Sequence, residues 1–208
     1  MLKYFFFFFF LFNCFTSAGK GLIDISVKNR SFVATDSLLP FWFHAEQQGR
    51  VAASNRFLNI SELDVDGDYL TSGSLSFTYG ATMLAAYGGS EYYQLNRAFA
   101  GVTLKGWEIK GGLFYDPARK RGLSTSNANL MRSRNARPYP MIRLSTLEYK
   151  PVPLMGSWLS FKAEYDEGIL NDERYVNNAH LHHKSLYLMA ELPSAWEIHF
   201  GLDHFVMW

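Results

Sequence analysis

The chain has 208 residues, enough for one large all-β domain or two small ones. A formal net charge of +1 gives no global attraction to nucleic acid, and no apolar run after residue 20 approaches the roughly 18 residues that a membrane-crossing helix needs. The single cysteine, Cys14, falls in a segment expected to be removed on export, so the mature chain has no disulfide framework, thiolate metal site or cysteine nucleophile.

That segment opens the chain. Lys3 supplies a positive charge, Tyr4 to Phe12 is unbroken apolar sequence, and Thr16-Ser17-Ala18 offers small residues for cleavage. This is the layout of a secretory signal peptide, assigned to residues 1–18, with residues 19–208 as the folded domain. Phe12-Asn13 before Cys14 argues against a lipidated cysteine.

Residues 21–37 are mixed in character and predict only a short ordered lead-in. Leu39 to Arg50 is a dense aromatic run ending in polar residues and Gly49. Pro40 permits a strand start, which would set Phe41, Phe43 and Ala45 on one face and Trp42, His44 and Glu46 on the other. Asp64-Val65-Asp66-Gly67-Asp68 resembles a calcium loop only superficially. It lacks the glutamate at the twelfth position and the flanking helices, and predicts a solvated turn.

From Ser74 the pattern has period two. Leu75, Phe77, Tyr79, Ala81, Met83, Ala85 and Tyr87 alternate with mostly small or polar residues. The run is long for a soluble strand and suits a tilted membrane strand of about 9–11 residues with extensions. Gly88-Gly89-Ser90 reads as a turn, Tyr92 to Lys105 as a second long strand, and Gly106 as a brief turn. In the next strand Trp107, Ile109, Gly111 and Leu113 form an apolar face opposite Glu108 and Lys110, which in a membrane would face a wet lumen.

Asp116 to Arg137 is a long polar loop without periodicity. It ends in the most unusual stretch of the chain, Met131 to Arg143, where four arginines and two prolines fall close together. Pro138 and Pro140 fix φ and remove two donors, so the stretch reads as an extended approach to a strand over residues 141–149. Pro151 to Gly156 is a constrained turn, Trp158 to Tyr165 a strand, Asp166 to His182 a second long polar loop, Lys184 to Leu192 a strand. The last strand sets Trp196, Ile198, Phe200, Leu202, Val206 and Trp208 on one side, interrupted by His204. Short turns on one side and long loops on the other, with Tyr and Trp near strand ends, predict a transmembrane antiparallel β-barrel of which about eight or nine strands are present. A secreted β-sandwich also alternates, with shorter strands.

No motif compels catalysis: G-x-S-x-G, H-E-x-x-H and Gly-rich phosphate loops are absent from the sequence. Glu164 with Asp166, or Asp166 with Glu167, supplies carboxylates for glycoside hydrolysis only if geometry supports them; a solvated loop is the simpler reading. His180-Leu181-His182-His183 invites a metal, yet the sequence places no third ligand, and no metal or cofactor is assigned. The basic stretch says more. Arg132, Arg134, Arg137 and Arg143 suit carboxylate or phosphate groups through paired hydrogen bonds, and Trp42, Tyr139 and Trp158 could stack on sugar rings, as an acidic polysaccharide would require. Equally, the arginines could pair with lumen carboxylates such as Glu148, Glu164 and Glu191 and hold the interior together.

Three stretches together resemble a known family: Pro40-Phe41-Trp42-Phe43-His44-Ala45-Glu46-Gln47-Gln48-Gly49, then Ser133-Arg134-Asn135-Ala136-Arg137-Pro138-Tyr139-Pro140, then His183-Lys184-Ser185-Leu186. In order and approximate spacing they are similar to the Wzi-type capsule-assembly proteins of Gram-negative bacteria, in particular the Bacteroidetes branch. The resemblance implies a non-enzymatic outer-membrane barrel that acts as a lectin and helps attach capsular polysaccharide to the cell surface. Outer-membrane lipid and capsule-export machinery are its implied partners. Family members are about twice this length, with a barrel of around eighteen strands, so the chain is expected to correspond to an N-terminal portion. A porin or transport channel on the same barrel is the alternative.

Overall fold

The computed structural model describes residues 20–34, 39–45, 47–51, 56–71, 73–89, 91–115, 136–171 and 178–208. The expected signal segment, Arg132 and Arg134 lie outside them. The described chain is all-β: one antiparallel ten-stranded sheet, with a helical turn α1 (Phe41–His44) and a short 3-10 turn (Pro193–Ala195). Its strands are β1 (Lys20–Val33), β2 (Phe57–Leu70), β3 (Leu75–Gly88), β4 (Tyr92–Leu104), β5 (Trp107–Leu113), β6 (Pro140–Thr146), β7 (Lys150–Pro151), β8 (Leu159–Leu170), β9 (Ala179–Leu192) and β10 (Trp196–Met207). They pair in sequence order from β1 to β10, except that the two-residue β7 joins only β8. The paired path ends at β1 and β10, so the sheet is open. Among the described residues no helix is long and apolar enough to cross a membrane.

Strands this long follow from uninterrupted alternation. Four of them have 14 residues, which at about 3.3 Å per residue reach about 46 Å. The β4–β5 hairpin closes through Lys105 and Gly106, both with positive φ (49° and 75°), the geometry that matches the right-handed twist of the flanking strands. A bulge between β3 and β4 leaves Asn96 outside the regular register.

The two faces of the sheet are inverted relative to a soluble protein. On β5, Ile109 is 59% exposed while Glu108 is 7% exposed. On β3, Thr82, Leu84 and Ala86 are buried and Met83 and Tyr87 exposed. On β6, Ile142 and Leu144 are exposed while Met141, Arg143 and Ser145 are buried. We call the face carrying Glu62, Thr82, Glu108, Arg143, Asp166 and His183 the inner face, and the apolar one the outer face.

Several expectations are corrected. Residues 21–33 are a full strand: Ile23, Ile25 and Val27 alternate with Asp24, Ser26 and Lys28 along β2. Phe41 to His44 is a helical turn rather than a strand, because Pro40 sets φ −54° and the chain closes locally through Phe43 N–H to Pro40 O and Ala45 N–H to Phe41 O. Asp64 to Asp68 lies inside β2, where Asp64 and Asp66 meet cations on the inner face. Residues 166–170 extend β8 and 179–183 begin β9, because Asp166 and His183 pair across the ladder. The strand expected over residues 141–149 spans Pro140–Thr146. Connections do not separate cleanly by length: the short link after β3 (residues 89–91) sits on the same side as the long connections 34–56, 114–139 and 171–178.

Candidate functional site on the inner face

Two apolar clusters cap the inner face on the long-connection side. Leu39 and Val51 fold in from the β1–β2 connection onto Leu58, Ile60, Leu84 and Ala86. Phe114, Tyr139, Met141 and Leu181 form the second, with Phe99 and Leu170 packed against it. Beneath each cap lies a network of charges.

The first network centres on Glu62, 1% exposed. Arg30 Nη2 lies 3.1 Å from its carboxylate, Arg50 Nη1 3.2 Å and Lys28 Nζ 3.7 Å. Next along β2, Asp64 accepts from Lys28 at 3.0 Å and from Thr82 Oγ1 at 2.6 Å. Asp66 then takes Arg97 Nη2 at 2.5 Å. Spacing of two along β2 delivers all three carboxylates to one face; the antiparallel register sets Lys28 of β1 opposite Glu62, and Arg97 of β4, opposite Thr82 of β3, reaches across that strand to Asp66. Arg50 is delivered by its loop: Tyr92 hydroxyl donates to its carbonyl at 2.5 Å, and its Nε donates to Tyr115 Oη at 3.2 Å with the guanidinium 5.1 Å from that ring centre. Burial alone would lower the Arg50 pKa, but the bond to Tyr115 and the nearby acidic charges outweigh it, leaving it raised. Burial also pushes the Tyr115 hydroxyl up. Asn96, set free of the register by the bulge, donates to the same hydroxyl.

The second network centres on Asp166 and His183, both 0% exposed. Arg143 holds Asp166 through two bonds, Nε at 2.5 Å and Nη2 at 3.1 Å, and approaches Glu164 at 3.6 Å. His183 Nδ1 lies 3.0 Å from Asp166 and 3.4 Å from Glu164, while Nε2 lies 3.0 Å from Asp203. Phe205 stacks on the imidazole with ring centres 4.0 Å apart, and Tyr187 donates to Asp203.

The residues expected to bind sugar fall in different places. Arg143 is buried in the second network, against Glu164 and Asp166, whereas Glu148 and Glu191 are exposed. Tyr139 lies buried with its ring against Gly168, where an added Cβ would sit 2.4 Å from the ring. Arg137 is exposed, its side chain folded over Gly49, which has φ +68°. Two stretches distant in sequence, Gln47 to Arg50 and Ala136 to Tyr139, therefore meet at the loop-side end. Trp42 (72% exposed) stands at that end, whereas Trp158 stands at the other, just before β8, so one sugar cannot engage both.

Sequence reasoning missed Arg30, Arg50, Glu62, Arg97 and Asp203. Period-two spacing marks the face of the four on strands, but only strand register says who meets whom, and Arg50 comes in from a connection that has no period. Comparison with known proteins finds no family model, no curated protein and no solved structure that matches the chain.

Proposed function

We propose that the chain builds the wall of an outer-membrane β-barrel that binds acidic capsular polysaccharide at its loop-side mouth, without catalysing a reaction. The observation that carries this reading is the inverted polarity of the sheet: buried Glu62, Arg143, Asp166 and His183 on one face, and exposed Met83, Ile109, Ile142 and Leu144 on the other. Water would penalise that apolar face, whereas a hydrocarbon layer rewards it, and a wet lumen suits the inner charges. The long-connection side then faces outward, and there Arg137 and Trp42 are both exposed. A guanidinium suits sugar carboxylates and an indole face suits a pyranose ring. The sequence resemblance to Wzi-type capsule-assembly proteins points the same way.

An open edge is not tolerated in lipid, so β1 and β10 must pair, with each other or with further strands. The test is retention of acidic capsular polysaccharide by folded protein in detergent. Arg137→Gln is expected to weaken retention about tenfold, the loss of one charge-assisted hydrogen bond of roughly 1.5 kcal/mol, and to leave unfolding unchanged. No retention by the unaltered protein would overturn the reading. The charged inner face also favours a second reading, an ion-conducting channel. Large steady conductance in planar bilayers would support that channel over a plugged lectin.

A further inference from the structure

The outer face carries charge in one place. Along the described strands of the paired path, the register puts only two charged side chains on that face, Glu167 on β8 and Lys184 on β9, and both lie among histidines. His180, His182 and Lys184 follow one another at spacing two on β9. His180 and Lys184 are exposed there, while Leu181, His183 and Ser185 between them are buried. The register sets His204 of β10 opposite Lys184, and Glu167 of β8 opposite His182. β10 ends the path, yet a strand added beside it would pair with its backbone edge and leave its outer side chains facing outward.

Their height on the wall is the second observation. Trp196 opens the turn-side end of β10, and His204 lies eight residues further along it. At about 3.3 Å per residue and a strand tilt of about 40°, that is about 20 Å along the membrane normal. His182 and then His180 stand about 5 Å higher each. An apolar band about 25 Å tall therefore ends within the cluster. A lysine at that height is tolerated because its ammonium reaches the headgroups. Trp208 stacks on His180 with ring planes 6° apart, and Tyr165 meets His182 edge-on with ring centres 5.1 Å apart. Such rings settle at headgroup level.

The charges do not cancel evenly. Glu167 is satisfied within the cluster, by His182 Nδ1 at 2.7 Å and by the Tyr165 hydroxyl, which donates at 2.8 Å. Among the described residues, Lys184 and His204 have no carboxylate within ion-pair distance. An ammonium and an imidazole N–H side by side suit the several acceptor oxygens of a phosphate.

We propose that Lys184 and His204 form a lipid site on the outside of the wall, taking the phosphate monoester of a lipid headgroup in the loop-side leaflet. A dissolved phosphate would meet these groups in water, where an exposed ion pair is worth little. A lipid phosphate is held at that height by its own acyl chains, at an effective concentration no dilute anion reaches. The site rests on the lipid-facing reading of the outer face and is independent of any glycan at the mouth.

The test is native mass spectrometry of the folded full chain, released from detergent micelles that hold equal amounts of diphosphorylated lipid A and of the same lipid stripped by phosphatase. The expected result is one retained lipid per chain, with the phosphorylated form preferred about tenfold, the worth of one charge-assisted hydrogen bond. Lys184→Gln/His204→Gln should bring the preference to near parity. Lys28→Gln removes the same charge from the inner face and should leave the preference intact. An excess of inorganic phosphate should not displace the lipid. Equal retention of the two lipids overturns the proposal and leaves the lipid-facing wall standing. So does a preference that survives Lys184→Gln/His204→Gln, one that is lost in Lys28→Gln, or displacement by inorganic phosphate. Retention of neither lipid overturns the wall as well.

Discussion

At the scale of the residue, the inner face is governed by burial of charge. Asp166 is fully buried and its negative charge is held by Arg143 and His183. Removing one partner of such a pair leaves a charge without compensation, which costs about 3–5 kcal/mol, whereas an apolar pair of similar volume is often tolerated. Arg143→Met is therefore expected to lower stability by about 3–5 kcal/mol in urea unfolding from detergent, and Arg143→Met/Asp166→Leu by clearly less than the sum of the singles. A different constraint acts at Gly168. An added Cβ there would meet Tyr139 at 2.4 Å and Met141 at 3.1 Å. Overpacking predicts a loss of about 1–3 kcal/mol for Gly168→Ala, partly recovered when Tyr139→Ala makes room, a coupling that a double-mutant cycle measures. Little of this was legible in the sequence. Arg143 and Glu164 were recognisable as candidate partners, but Asp166 looked like part of a solvated loop, because runs of Asp, Glu and Asn look alike whether a ladder or water satisfies them. Tyr139 looked like a stacking platform, because nothing local reveals that a glycine on β8 lies beneath its ring.

At the scale of the element, alternation was readable where one face is uniformly apolar. β3, β5 and β10 follow the expected faces, since apolar residues recur at every second position there, broken only by His204 on β10. It failed where inner-face charges crowd the strand. The Asp64-Val65-Asp66 run in β2 mimics a turn until Lys28 and Arg97 stand opposite, and β1 carries Asp24, Ser26, Lys28 and Arg30 between its aliphatic residues. The outer face makes a sharp prediction for single strands. Ile109→Arg on β5 and Ile25→Arg on β1 would be near neutral, within about 0.5 kcal/mol, on an ordinary wetted surface. In a bilayer each is expected to cost about 2–4 kcal/mol if near the midplane. Folding into lipid vesicles, compared with folding in urea-titrated detergent, separates the two cases.

For the whole molecule, the all-β class and the single antiparallel order were legible from the strand pattern alone, whereas closure was not. The paired path runs from β1 to β10 and stops there. Period-two spacing specifies which face a residue occupies but carries no information on which strand pairs with the last. The same inversion of polarity that supports a lipid-facing wall also gives its most direct test. Cys14 is the only cysteine of the full sequence and lies in the expected signal segment, so single cysteines placed along β5 and β10 of the cleaved chain report on one position at a time. The measurement is their labelling in lipid vesicles by a water-soluble maleimide, together with quenching of an attached fluorophore by brominated acyl chains. The account predicts that cysteines at Ile109, Phe200 and Leu202 resist the aqueous reagent and are quenched by the lipid, while those at Lys110 and His199 are labelled and unquenched. Equal aqueous labelling on both faces, with no lipid quenching at Ile109 or Phe200, would contradict it.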